Sequence, residues 1–192
     1  RVVPVRSDFL KKKYGMDRIP GLNAIFAIID GAPKDQMVAT LYGLGKSLQW
    51  QKRRHDYWLN REAVTPEQQI QKERDISRYR SDKRNINKIT KKVDPDAVYK
   101  EGDKIPPKKK VGDRLSANDY EAKLDALILH TEKINSPVVK FWDVLNEFTN
   151  HSLRTAYNAE LITKQRYDIL TEMPYIPRYI APEFLEDGQM DV

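Results

Sequence analysis

SPVVKFWDVLNEFTNHSLRTAYNAELITKQRYDILTEMPYIPRY, residues 136–179, is the stretch whose reading decides the fold. Ser136 is a good N-cap, and Pro137 falls at the first helical position, where its missing N–H costs nothing. Val138, Phe141, Trp142, Leu145, Phe148, Leu153, Ala156 and Tyr157 recur at three- and four-residue steps and paint one apolar stripe. Leu161 and Ile162 precede Thr163, a second N-cap, and Tyr167, Leu170 and Met173 form a short second stripe. Pro174 and Pro177 stop that helix and set an extended exit. The stretch predicts a long helix, a tight turn and a short helix. Trp142 is expected at the centre of the buried stripe, with Tyr167 and Leu170 closing over its ring.

Upstream, Ser116 caps a helix through Ile134 whose buried stripe is Tyr120, Leu124, Leu127, Ile128 and Ile134, with Asn135 ending it. Residues 93–115 hold three prolines, two glycines and many charges and read as an exposed linker. Before them, Thr65-Pro66-Glu67-Gln68 is a helix start with a capping-box glutamine. The helix that follows, to about Lys92, is polar almost all round. Its narrow seam of Ile76, Tyr79, Lys83, Ile86 and Thr90 suits a helix that bridges, lies on a partner, or packs through one thin edge.

A long helix begins at Pro33 with Met37, Leu41, Leu44 and Leu48 on one face and runs on through Trp50 and Tyr57 to Val64. Gly43 and Gly45 inside it each cost about 1 kcal/mol relative to Ala, which a close helix crossing would explain. GLGKS (43–47) lacks the full phosphate-loop spacing, and no strand precedes it. Ser7 caps a short helix ended by Gly15, and Pro20-Gly21 opens the apolar helix LNAIFAII. Residues 1–6 read as extended, and 181–192 as an acidic tail.

These segments give an all-α expectation: an extended multi-helix assembly with a C-terminal helical hairpin and long loops. The divisions are 1–92, an N-terminal helical region; 93–115, the linker; 116–180, the hairpin region; and 181–192, the tail. The 192 residues carry 34 Lys and Arg against 28 acids, a net charge of +6, and read as a polar chain with a modest core. There is no cysteine, so disulfide and thiolate chemistry are excluded. The longest apolar run, Ala24 to Ile29, is too short to span a bilayer. The chain begins at Arg1, and the expectation is an excerpt of a longer protein.

AYNAELITKQRYDILTEMPYIPRY (156–179) resembles a pattern that recurs in the very large polyvalent and virion proteins of bacteriophages. In that pattern a helix ends in a small or aromatic residue, a turn follows, then a short helix with Tyr, then Tyr-[Val/Ile]-Pro. The resemblance covers 136–179. The exit departs from it, with Ile-Pro-Arg-Tyr-Ile-Ala-Pro at 176–182. The resemblance implies a helical associated domain lying between enzymatic modules. It implies a structural or scaffolding role in a virion protein that is packaged and ejected with the genome, then resides in the host cell. Its partners would be other modules of the same chain or other virion proteins. No catalytic residue travels with the motif, so the domain itself is expected not to be an enzyme, although a parent could carry one, such as a virion RNA polymerase.

The residues support a second reading, a nucleic-acid-binding helical module. Lys52, Arg53 and Arg54 sit among Trp50, Tyr57 and Trp58. The polar helix carries Arg74, Arg78, Arg80, Lys83, Arg84, Lys88, Lys91 and Lys92, and Lys108, Lys109 and Lys110 follow Pro106-Pro107. Solvated charge beside buried aromatics explains the same composition. His55, His130 and His151 fall on separate segments without metal-ligand spacing, and no cofactor motif is present. Asp143 and Glu147, one turn apart, are a carboxylate pair that a cation could bridge, though surface charge is the usual explanation of such a pair.

Overall fold

The computed structural model describes residues 5–30, 33–89, 95 and 116–172, with the backbone alone at 33 and 86–89. Among them are seven helices and no strand beyond one isolated bridge, Arg6 to Arg18, so the chain is all-α. The helices are α1 (Asp8–Tyr14), α2 (Leu22–Phe26), α3 (Pro33–Leu59), α4 (Pro66–Ile89), α5 (Ala117–Lys133), α6 (Pro137–Asn158) and α7 (Lys164–Glu172). None is long and apolar enough to cross a membrane.

Local chemistry sets the boundaries. Ser7, Ser116 and Ser136 each accept a backbone N–H of the first turn, from Leu10, Asp119 and Val138. Thr65 caps α4 by accepting the Gln68 N–H, while the Gln68 side chain reaches back to the Val64 N–H at 2.9 Å. Gly15 closes α1 in the left-handed region, φ 68°. Asn135 (φ 48°) and Glu160 (φ 57°) do the same after α5 and α6. Behind Glu160, the Leu161 N–H returns to the Ala156 carbonyl at 2.9 Å and the Glu160 N–H to Tyr157 at 3.0 Å, which is the Schellman pattern.

α3 is the axis on which α4, α5 and α6 pack, with α1 and α2 laid against α6. One core cluster draws on both halves of the chain, from Leu10, Ile25, Met37, Leu41 and Leu48 to Tyr120, Leu127, Phe141 and Leu145. The divisions at 92 and 116 therefore mark segments of chain that share a core. The two glycines of α3 are the close crossings expected of them. A Cβ at Gly43 would collide with the Trp142 indole, and one at Gly45 would meet Ile128 Cδ1 at 2.6 Å.

Several expectations are corrected. Trp142 is buried, but its ring is covered by α3 rather than by Tyr167 and Leu170. Its Nε1 donates to the Ala39 carbonyl at 3.1 Å and Tyr42 lies 6.4 Å away, while Tyr167 stacks on Tyr157 further along the hairpin. The helix expected over 22–29 stops at Phe26, because the bonds at Ile28 and Ile29 tighten to three-residue turns. α3 ends at Leu59, not Val64: the Asn60 side chain donates to the Asp56 carbonyl and competes with continuation. Ile134 follows the last turn of α5 and is 58% exposed, outside the buried stripe. Apart from residue 95, which is helical and buried, the linker at 93–115 lies outside the described residues, as do the start at 1–4, the exit from Met173 through Pro177 and the tail.

Candidate functional site: the charged faces of α3 and α4

α4 buries little apolar surface, and its inner edge is held to α3 and α5 by polar contacts. Asp75 is 7% exposed, yet its carboxylate is fully engaged. Arg54 donates Nε (3.0 Å) and Nη2 (2.9 Å) to Oδ2, Trp58 Nε1 donates to the same oxygen at 2.8 Å, and Gln71 donates to Oδ1 at 2.7 Å. A buried carboxylate is tolerable only with such a set of donors. One turn along α3, Gln51 Nε2 donates to Asp82 at 2.8 Å. Tyr79 donates to Glu121 of α5 at 2.9 Å, Lys83 pairs with the same carboxylate at 2.7 Å, and the His55 ring lies 4.9 Å from Tyr79. The Tyr79 phenol is pushed above its ordinary range by burial and then by the Glu121 bond, and Glu121 in turn raises Lys83.

This seam divides the candidate basic residues. Arg54 and Lys83 serve the fold's own carboxylates. Lys52 pairs with Asp56 at 3.6 Å on the exposed surface. Arg53 is exposed and lines an open cleft with Trp50, Tyr57 and Trp58. Trp50 and Trp58 are themselves buried, at 8% and 7%, so only Tyr57 presents an exposed ring there. Arg78 and Arg84 are exposed, as are Arg74 and Arg80. None of these four has a carboxylate partner among the described residues. The side chain of Lys88, and Lys91, Lys92, Lys108, Lys109 and Lys110, lie outside the described residues.

The carboxylate pair on α6 has intramolecular partners. Asp143 accepts Lys13 Nζ and the Tyr14 hydroxyl, both at 2.6 Å, and Glu147 accepts the Ser7 hydroxyl at 2.6 Å. Burial and then the Asp143 bond push the Tyr14 phenol up to about 12. Beside this clasp, a cleft of about 680 Å³ between α3, α5 and α6 is lined by Tyr42, Lys46, Glu132 and Asn146. Tyr42 and Lys46 both donate to Glu132, at 2.9 and 3.1 Å. Among the described residues no group of three or more His, Cys, Asp or Glu is placed to hold a metal.

Sequence reasoning missed the inward acids of α4. Asp75 and Asp82 lie seven residues apart and therefore on one face, so the signal was in their spacing. Their face could be recognised only once α3 supplied Arg54, Trp58 and Gln51. Comparison with protein-family models, with curated proteins and with solved structures returns no significant match.

Proposed function

We propose that this chain is a structural helical module of a large bacteriophage virion protein, packed with the genome and delivered during ejection. The observation that carries the reading is the α6–α7 hairpin, where the resemblance lies. Its helix ends at Asn158, turns through Glu160 in the left-handed region, and restarts behind Thr163, whose hydroxyl accepts the Arg166 N–H. Tyr157 and Tyr167, on either side of the turn, stack at 5.0 Å. The interlocked crossing of α3 with α5 and α6 adds support, since a scaffold module needs a core that keeps its shape.

In this reading the module performs no chemistry of its own. Catalysis, such as that of a virion RNA polymerase, belongs to other parts of the parent chain. The partners are those neighbouring modules or other virion proteins, and the location is the particle, then the infected cell. Mass spectrometry of purified particles tests it: peptides of this chain in DNA-filled virions are expected. Their confinement to the infected cell lysate overturns the reading.

A further inference from the structure

α4 sorts its charges by side. Asp75 and Asp82 turn inward to donors on α3. Four exposed arginines remain on the outer half, and the exposed acids Glu67 and Glu73 both precede them in the helix. They form two rows. Arg74 and Arg78 stand one turn apart on one flank, and Arg80 and Arg84 stand one turn apart on the other. Between the rows the helix presents Ser77, exposed, and Ser81, half-buried. A narrow strip of small hydroxyl side chains thus runs between two walls of guanidinium groups.

That arrangement has the shape of a helix seated in a groove with anionic walls. The major groove of B-form DNA is about 12 Å wide, and a helix with its side chains is about 10–12 Å across. From Arg74 to Arg84 the helix rises about 15 Å, enough to pass several phosphates of each strand. The planar, forked guanidinium matches phosphate oxygens. Other polyanions fit less well. The arginine rows enclose no aromatic residue on which single-stranded bases would stack. Ile70, at 58% exposure before the rows begin, is the large apolar side chain of the outer face, too little for insertion into a lipid surface. The major groove of duplex RNA is too narrow to admit a helix.

We propose that the outer face of α4 seats in the major groove of duplex DNA, Arg74 and Arg78 on one strand's phosphates and Arg80 and Arg84 on the other's. Sequence preference is weak, because Ser77 and Ser81 are the side chains facing base edges. The inference does not depend on the virion reading, and holds for any duplex-binding role.

The test is fluorescence anisotropy of the 192-residue chain on a labelled duplex DNA across a salt series. Three proteins are compared: wild type, Arg78→Ala/Arg84→Ala, and a charge-matched control, Lys12→Ala/Lys133→Ala, at exposed lysines of α1 and α5. Each phosphate contact contributes about −0.9 to the slope of log K against log salt. The arginine pair should therefore lower the slope by about 2 and the control should leave it unchanged. Alanine is the best helix former, and circular dichroism checks that both variants stay folded. Equal losses in the two variants would mean diffuse charge and overturn the proposal. So would tighter binding to phosphatidylserine vesicles, to single strands or to duplex RNA than to duplex DNA, or no binding to duplex DNA at low salt.

Discussion

The indole of Trp142 lies where a side chain at Gly43 would have to go, so α6 reaches the backbone of α3 at that turn. In an exposed helix interior, Gly→Ala gains about 1 kcal/mol. Here the sign reverses. Gly43→Ala is expected to destabilise by about 1–3 kcal/mol, the cost of overpacking a filled site. Gly45→Ala should lose less, because its new methyl meets the flexible end of Ile128. Chemical denaturation of both variants checks the order, and a more stable Gly43→Ala protein would refute the crossing.

Trp142 is 4% exposed, with Phe141 at 5.5 Å and Tyr42 at 6.4 Å. Trp142→Ala should cost roughly 3–5 kcal/mol, the range for large aromatic truncations. Trp142→Phe keeps part of the ring but loses the indole bond to the Ala39 carbonyl, and should fall between wild type and alanine. A loss under about 1 kcal/mol for the alanine variant would remove the indole from the core.

Asp75 tests the polar seam. Asp75→Ala leaves the Trp58 N–H without its acceptor and the Arg54 guanidinium with Glu172 alone, at 3.8 Å. Arg54 keeps some access to water, 25% of its side chain, so the loss is expected at about 2–4 kcal/mol rather than the upper end for a buried pair. Urea midpoints for Asp75→Ala and Arg54→Ala settle it. The aspartate variant should be the less stable of the two, and the opposite order counts against a carboxylate-centred seam.

The Tyr14 phenol ionises near 12 in the folded chain against an ordinary 10. A raised folded value means that its contribution is complete below pH 10 and is lost as pH rises from 10 towards 12. Tyr42 is shifted in the same direction by burial and by its bond to Glu132. Across that window wild type should lose more stability than Tyr14→Phe. Parallel curves for the two proteins would show that the hydroxyl does not discriminate the folded state.

Glu160 holds φ 57° and is exposed. The left-handed conformation costs a non-glycine residue roughly 1–2 kcal/mol, part of which glycine gives back as chain entropy. Glu160→Gly is expected to raise stability by up to about 1 kcal/mol, read as a higher midpoint at unchanged slope. A lower midpoint would mean that the carboxylate does something here beyond occupying the turn.

Caps and stripes were legible in the sequence because their signals are local. Ser116, Ser136, Thr163 and Gly15 satisfy backbone groups within three or four residues, and Tyr120, Leu124, Leu127, Phe141 and Leu145 sit where the 3.6 period puts them. Partners were not legible. The stripe of α6 marks Trp142 as buried, but whether α3 or α7 covers it depends on how segments a hundred residues apart meet. The basic composition of α4 was visible. The inward turn of Asp75 and Asp82, which leaves the outer arginines without a carboxylate partner among the described residues, appears only when α3 is in place.

The clasp of α1 on α6 bears on how the chain comes off the ribosome. Ser7 finds Glu147 across 140 residues of sequence, and Tyr14 finds Asp143 across 129. Translation at about 5–20 residues per second separates the two ends of that clasp by on the order of ten seconds. Leu10, completely buried in the finished fold, spends that interval without the α6 surface on which α1 packs, while α3 has already emerged. α1, made well before α6, is therefore secured only after it, and nascent chains halted before residue 143 should expose it to proteases that the completed protein resists.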